Sequence, residues 1–331
     1  MTILQVGLGS MGKRRIRNFL FHGVNEDSLF GFDLNEERRK EVEEQYGIKT
    51  FASFSDAVDI VHPDIFSIST PPNHHSTYYL YAAKNKKHFF VEATTHDDGY
   101  ERLLGLLDGS FVAAPSCTFR YFPAVKKIKE ILAQGTLGSP LTFSYHLGQY
   151  LPDWHPWEDY RKVYFSQKET GACREMLPFE LIWLTGLFDT KVSSILGIKG
   201  KVSHLEMSAD DVYAASVKFS NNIIGTILID VVARYPFRTL RIMCEEGVIE
   251  WDWMSYQIKV YNSSSGQWDI ISLQKGESEV GYETTEDMYR EEIQHFLAAV
   301  SGEFSYPYTF FEDWDILKAL YTFEKIPDFV Y

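Results

Sequence analysis

The stretch that decides the fold is Thr2-Ile3-Leu4-Gln5-Val6-Gly7-Leu8-Gly9-Ser10-Met11-Gly12, TILQVGLGSMG. Thr2–Val6 is a short β-like run, and Gly7, Gly9 and Gly12 follow it at once in a GxGxxG spacing. Beyond them KRRIRNFLFHG (13–23) places apolar residues at Ile16, Phe19 and Leu20, a helical spacing that stops at Gly23. Strand, glycine turn and helix together bring free N–H groups at the helix start against a pyrophosphate. The glycines permit the tight turn and the close backbone approach. The spacing alone is common, and its surroundings give it weight.

SLFGF (28–32) reads as a second strand and ends at Asp33, 33 − 12 = 21 residues beyond the last glycine. At that separation a carboxylate hydrogen-bonds the adenosine ribose 2′-hydroxyl, and its charge repels a 2′-phosphate, favouring NAD over NADP. Arg38 and Arg39, further on, soften that preference. LNEERRKEVEEQYG (34–47) reads as a helix closed by Gly47, and Ile60–Ile68 as a buried strand. STPPNHH (69–75) then forms an abrupt loop, because two successive prolines end the strand. STYYLYAAKNKKH reads as a helix, Phe89–Glu92 as a strand and Ser110–Pro115 as another. The alternation predicts an α/β fold with a parallel sheet.

The 331 residues suffice for two domains at roughly 100–200 residues each. Composition is that of a globular protein, 45% apolar and 24% charged, and the net charge of −14 argues against a broad basic surface for nucleic acid or anionic membrane. Cys117, Cys173 and Cys244 form no CxxC pair, which predicts free thiols in a reducing compartment. The first residues lack a basic stretch followed by an apolar one, and no apolar run approaches the ~18–20 residues that span a bilayer. A soluble cytoplasmic protein is expected. His146, His155 and His204 are too scattered for a metal site, so none is expected.

Residues 190–261 alternate as strands do (VSSILGI, VYAASVKFS, IIGTILIDVVA, TLRIMC, GVIEWDW, QIKVYN), with later helices at Asp287–Val300 and Phe311–Glu324. With GLGSMG (7–12), Asp33, TPPNHH (70–75) and Glu92 stand FRYFPAVKKIKEIL (119–132), GTLGSP (135–140), GACREM (171–176), CEEGVIEWD (244–252) and YREEIQHFLAAVSG (289–302). In order and spacing these segments resemble the glucose–fructose oxidoreductase and inositol dehydrogenase (Gfo/Idh/MocA) family. The resemblance implies an N-terminal Rossmann domain, 1–118. It also implies a C-terminal α/β domain, 119–331, with an open, mostly antiparallel sheet whose outer face makes a homo-dimer or tetramer. The final helices are expected to pack back on the N-terminal domain. By the same resemblance Gly7, Gly9, Ser10, Met11 and Gly12 face the pyrophosphate of NAD and Asp33 its adenosine ribose. Thr70, Pro71, Asn73 and His75 lie along the cofactor, with Glu92 near the nicotinamide ribose.

The chain departs from the family at its proton-handling positions. The family carries Glu-Lys-Pro after the fourth of these strands, where this chain has Glu92-Ala93-Thr94, so Ala93 takes the place of the lysine. The family's Asp-x-x-x-His becomes Glu175 and Phe179. Hydride transfer at an alcohol carbon still requires the hydroxyl proton to move, and a positioned acid–base group contributes about 10²–10⁴-fold. The sequence candidates for that group are His155 first, then Tyr160 and Glu180, with Glu175 beside them. Trp154 and Trp157 offer stacking faces for a sugar ring or nucleobase, and Arg120 and Arg174 offer a clamp for a carboxylate or phosphate. Arg174 is equally placed to neutralise Glu175. Two functions follow: an NAD-dependent oxidoreductase of a sugar, sugar derivative or nucleotide-sugar, or a non-catalytic NAD-binding regulatory or structural protein.

Overall fold

The computed structural model describes residues 1–154, 159–276 and 285–326. The chain folds as two compact units, Met1–Tyr121 with Glu277–Trp314, and Phe122–Gly276 with Asp315–Tyr331. The division falls after residue 121 rather than 118, because Thr118–Tyr121 is a 3-10 turn tied to the first unit. There the Cys117 N–H and the Thr118 hydroxyl both donate to the Glu292 carboxylate, at 2.6 Å each.

The first unit begins with β1 (Ile3–Val6), α1 (Ser10–Phe21), β2 (Leu29–Phe32) and α2 (Glu36–Tyr46). β3 (Lys49–Phe51), α3 (Phe54–Val61), β4 (Ile65–Ile68), α4 (His75–Lys84), β5 (His88–Val91), α5 (Tyr100–Leu104) and β6 (Ala113–Pro115) follow. Their sheet has the order β3-β2-β1-β4-β5-β6, with every pair parallel. Val6 is level with Phe32 on one side and Ile68 on the other. The loops after β1, β2 and β4 therefore leave the sheet at one edge, where the strand order reverses, as ligand-binding loops do in such sheets. Ile16 and Phe19 are fully buried, each such burial contributing about 1.5–3 kcal/mol.

The expected strand at Ile60–Ile68 is corrected: Ile60 and Val61 end α3, and the strand begins at Ile65. The Ser53 side chain caps α3 by accepting the Asp56 N–H at 3.3 Å. In a short apolar run the period does not separate strand from helix. β3 is likewise an addition to the elements expected, at three residues too short to carry a pattern.

The second unit contains α6 (Pro123–Ala133), β7 (Pro140–Tyr150), α7 (Leu151–Trp154), α8 (Cys173–Leu187), β8 (Val192–Gly200), β9 (Val212–Phe219) and β10 (Ile224–Asp230). β11 (Val232–Cys244), β12 (Gly247–Asp252), β13 (Gln257–Asn262) and β14 (Gln267–Ser272) complete its sheet. The order is β14-β13-β12-β11-β7-β10-β9-β8, antiparallel except for the β7–β10 pair. β7 runs as far as Tyr150, held between β10 and β11. One sheet face is buried, with Phe143 stacked on Phe219 at 5.5 Å, and α8 supplies Leu177, Leu181 and Trp183 to the same core. The last helices are α9 (Asp287–Val300), in the first unit, and α10 (Phe310–Glu324). No helix among the described residues is long and apolar enough to cross a membrane.

Candidate functional site

The three motif glycines answer to different constraints. A Cβ on Gly12 would stand 2.0 Å from the Gly7 carbonyl oxygen, and one on Gly7 2.6 Å from that of Ser69, with Gly7 also at φ +88°. Both are required for the strand–turn–helix to close at all. A Cβ on Gly9 would meet only the Arg38 guanidinium, at 3.9 Å, so nothing in the protein requires that glycine. The space beside it is an open cradle at the start of α1. Gly9 is also the N-cap of α1, whose first turn carries no acidic side chain. The N–H groups of Ser10, Met11 and Gly12 have no intrahelical acceptor, and the helix end attracts an anion.

A cavity of ≈ 180 Å³ opens beside this turn, lined by Gly7, Gly9, Asp33, Leu34, Arg38, Thr70, Pro71, His74 and Tyr78 among others. Asp33 is locked there: its Oδ2 accepts the Leu8 N–H at 2.8 Å and its Oδ1 the Asn35 N–H at 2.8 Å. The carboxylate is thus preorganised by the backbone on both sides of the expected ribose position. Arg38 Nη1 lies 3.7 Å from Asp33 Oδ2, with its side chain half exposed, while Arg39 is spent on the carbonyls of Asp33 and Leu34. Of the two arginines, only Arg38 faces the cavity. These residues fit a dinucleotide: donors for its diphosphate, a fixed acceptor for its ribose, and an apolar wall from Leu34 and Tyr78.

Asn73 is exposed, and His75 does not line this cavity, contrary to its expected place along the cofactor. It is buried at the start of α4, with Nε2 2.7 Å from the Thr70 carbonyl oxygen, to which it donates. Burial pushes its pKa down to about 4, so at neutral pH it is an uncharged strut under the loop. Its neighbour His74 lines the cavity instead. The two positions are adjacent at a helix start, and only the helix phase separates wall from strut.

Glu92, at the carboxyl end of β5, is held from behind. Arg15 Nε donates to Oε1 at 2.6 Å and Arg15 Nη2 to Oε2 at 3.0 Å, while the Ser69 hydroxyl donates to Oε1 at 3.2 Å. Arg15 is fully buried and also pairs with Glu292 of α9, Nη1 to Oε2 at 2.9 Å. Burial opposes its charge, but Glu92 and Glu292 outweigh it and hold its pKa above the ordinary value. KRR in α1 looks like a solvated face in the sequence, and the carboxylates that pair with Arg14 and Arg15 at positions 92, 286 and 292 are far from it in the chain, so no local signal pointed to them. Arg120, expected at the substrate, is occupied within this unit by the Pro307 carbonyl at 3.1 Å and the Tyr308 ring at 4.4 Å.

In the second unit, His155 and Trp157 lie outside the described residues. Glu180 is fully buried, and its carboxylate accepts from Tyr145 Oη at 2.7 Å, Trp183 Nε1 at 2.5 Å and Arg238 Nη2 at 3.2 Å. That network is a core support, which corrects the catalytic candidacy of Glu180. The Tyr160 hydroxyl accepts the Glu206 N–H at 3.1 Å. Arg174 pairs with Glu324 at 2.8 Å rather than with Glu175. Trp154 packs on Phe165 at 5.4 Å.

Glu175 remains as the accessible carboxylate of α8. It sits half-buried in the first turn, accepts the Tyr164 hydroxyl at 2.8 Å, and is pushed up to about 7 by burial, against the opposing hydrogen bond. A carboxyl group poised there both takes and returns a proton at neutral pH. Tyr164 was absent from the sequence candidates, since no motif marks it.

The description "Oxidoreductase family, NAD-binding Rossmann fold" matches residues 1–96, and "GFO/IDH/MocA C-terminal domain" matches residues 125–250. No curated protein sequence matches the chain significantly. Among solved structures, levoglucosan dehydrogenase in complex with NADH is similar at 16% identity and a TM-score of 0.82, over 98% of this chain and 96% of its own. UDP-N-acetylglucosamine 3-dehydrogenase GnnA from Acidithiobacillus ferrooxidans is similar at 18% identity and a TM-score of 0.77, again over 98% and 96%. The WlbA dehydrogenase from Bordetella pertussis, in complex with NADH and UDP-GlcNAcA, is similar at 16% identity and 0.77, over 97% and 95%. At these identities the likeness is one of fold. Since the two family matches fall on both units, and the cradle beside Gly9 fits the dinucleotide, the chain belongs to the Gfo/Idh/MocA family of oxidoreductases, with NAD as its cofactor.

Proposed function

We propose that this chain is an NAD-dependent oxidoreductase that transfers a hydride at a carbinol carbon of a sugar, sugar derivative or nucleotide-linked sugar. Its acid–base chemistry is rebuilt around Glu175. The observation that carries this reading is the Glu175 carboxyl, raised by burial to about 7 at the position where the family places an aspartate. The substrate class rests on the similar structures, which are dehydrogenases of levoglucosan and of UDP-linked sugars and a complex with UDP-GlcNAcA.

In this mechanism the first-turn N–H groups of α1 orient the diphosphate and Asp33 the adenosine ribose. Arg15 holds Glu92 fixed at the end of β5. Bound NAD supplies the hydride acceptor. Glu175, as carboxylate, takes the proton of the substrate hydroxyl as the carbinol becomes a carbonyl, and returns it in the reverse direction. Ala93 and Phe179 contribute no proton chemistry and leave that task to Glu175. One face of the second sheet exposes Leu196, Ile198, Ile224 and Ile270, which supports self-association as part of the same reading.

The second reading, a non-catalytic NAD-binding protein, is favoured by the same Ala93 and Phe179. Near-stoichiometric protein with NAD⁺ and a panel of free sugars, cyclitols and nucleotide-sugars separates the two. NADH formation is followed by absorbance, with NAD⁺ binding measured by calorimetry on the same batch. Substrate-dependent NADH is the expected result. Saturable NAD⁺ binding without NADH across the panel would favour the binding protein.

A further inference from the structure

The turn Tyr164–Ser166 is built to hold one hydroxyl against the start of α8. Thr170 Oγ1 donates to the Tyr164 carbonyl at 2.6 Å, the Ser166 hydroxyl donates to the Val163 carbonyl at 2.9 Å, and the Phe165 ring is buried. Gly171 lets the turn abut the helix, since a Cβ there would stand 2.0 Å from the Phe165 carbonyl oxygen. The next residue, Ala172, has φ 50° and ψ −129° as the N-cap of α8, a backbone conformation that a side chain disfavours. The chain thus accepts a strained junction of small residues that sets the Tyr164 hydroxyl 2.8 Å from Glu175 Oε1. Tyr164 as a whole residue nonetheless keeps 45% of its surface exposed.

We propose that Tyr164 is the substrate-facing member of a proton relay, passing the substrate hydroxyl proton to Glu175; this rests on the oxidoreductase reading above. The carbinol C–H bond breaks and its electron pair leaves as hydride to NAD⁺, which is reduced, while the C–O bond becomes C=O. The substrate O–H proton passes to Tyr164 Oη as the phenolic proton passes to Glu175 Oε1. Tyrosine ends as it began, and Glu175 ends protonated, to be discharged to solvent before the next turnover. Burial holds the Tyr164 phenol well above its ordinary pKa, with the Glu175 charge adding to it, so it stays protonated between turnovers. A carboxylate alone is a point acceptor; the phenol in front of it extends its reach by a ring and gives a sugar an apolar face to lie on.

The test is Tyr164→Phe in the full-length protein, with the Glu175 carboxyl titrated by ¹³C NMR and assigned through Glu175→Gln. In the active enzyme kcat is expected to fall about 10²–10⁴-fold, with the substrate KM and the calorimetric Kd for NAD⁺ unchanged. The Glu175 midpoint is expected to rise, because the donated hydrogen bond that favours its charged form is gone. Glu175→Gln, which keeps an acceptor for the tyrosine, should show a comparable loss in kcat with the turn intact by circular dichroism. An active wild type with Tyr164→Phe equal to it in kcat, or with an unshifted midpoint, would overturn the relay alone. A wild type that binds NAD⁺ but forms no NADH with any substrate of the panel would overturn the oxidoreductase reading and the relay with it.

Discussion

Arg15 grips Glu92 through both carboxylate oxygens, at 2.6 and 3.0 Å, from a guanidinium with no exposed surface. The pair joins the helix after the glycine turn to the strand end that the family places at the nicotinamide ribose. It is secured in turn by Glu292 of α9, so a residue near the chain start, one at the end of β5 and one near the chain end form a single buried ionic unit.

Removing the cation from that unit leaves two carboxylates in largely buried surroundings without their cationic partner. Arg15→Met is expected to destabilise the protein by about 3–5 kcal/mol, the range for breaking a buried pair from one side. Urea denaturation of both proteins measures it. A loss below about 1 kcal/mol would mean that water already screens the pair.

The glycines separate folding from binding. Gly12→Ala forces a Cβ to 2.0 Å from a backbone oxygen and is expected to unfold or aggregate the chain. Gly9→Ala meets nothing closer than 3.9 Å and should keep the wild-type melting temperature while NAD⁺ binding weakens at least tenfold. Differential scanning fluorimetry without and with NAD⁺ reads both; equal ligand-induced shifts in Gly9→Ala and wild type would place the diphosphate elsewhere.

Asp33→Asn removes the charge and one acceptor while keeping the shape. Loss of a hydrogen bond to a charged group costs about 1.5–3 kcal/mol, so NAD⁺ should bind roughly 10–150-fold more weakly. NADP⁺ should gain relative to NAD⁺, because Arg38 then faces the ribose edge without a carboxylate 3.7 Å away. In Asp33→Asn/Arg38→Ala that gain should vanish. Calorimetric titration with both dinucleotides decides it.

Glu175 makes stability depend on pH in a defined direction. Its carboxyl titrates near 7 in the folded chain and near about 4.3 when unfolded. Between those values the unfolded chain has released the proton and the folded chain has not, so stability falls as pH rises from about 4.3 to 7 and levels off above. Glu175→Gln lacks this dependence and should be more stable than wild type at pH 8, by roughly 1–2 kcal/mol once solvent screening of a half-buried group is allowed for. Its activity should fall at the same time. Parallel stability curves from pH 4 to 8 in the two proteins would show the carboxyl to be unperturbed.

Whatever acts within a turn or along a strand was legible in the residues alone. Gly7 and Gly12 answer to backbone atoms of adjacent loops, Asp33 follows its strand directly, and α9 was legible to the residue at Asp287–Val300. Relationships whose partners are far apart in the chain, or separated only by helix phase, came from packing. Pairing brings Arg15 to Glu92 and Glu292, and buries Glu180 among Tyr145, Trp183 and Arg238. The phase of α4 turns His74 to the cavity and His75 away from it, and a strained junction at Ala172 brings Tyr164 to Glu175. Backbone geometry is local and leaves its mark in residue spacing, whereas a side chain's charge state and exposure depend on what packs against it, and that is settled only when the chain has closed.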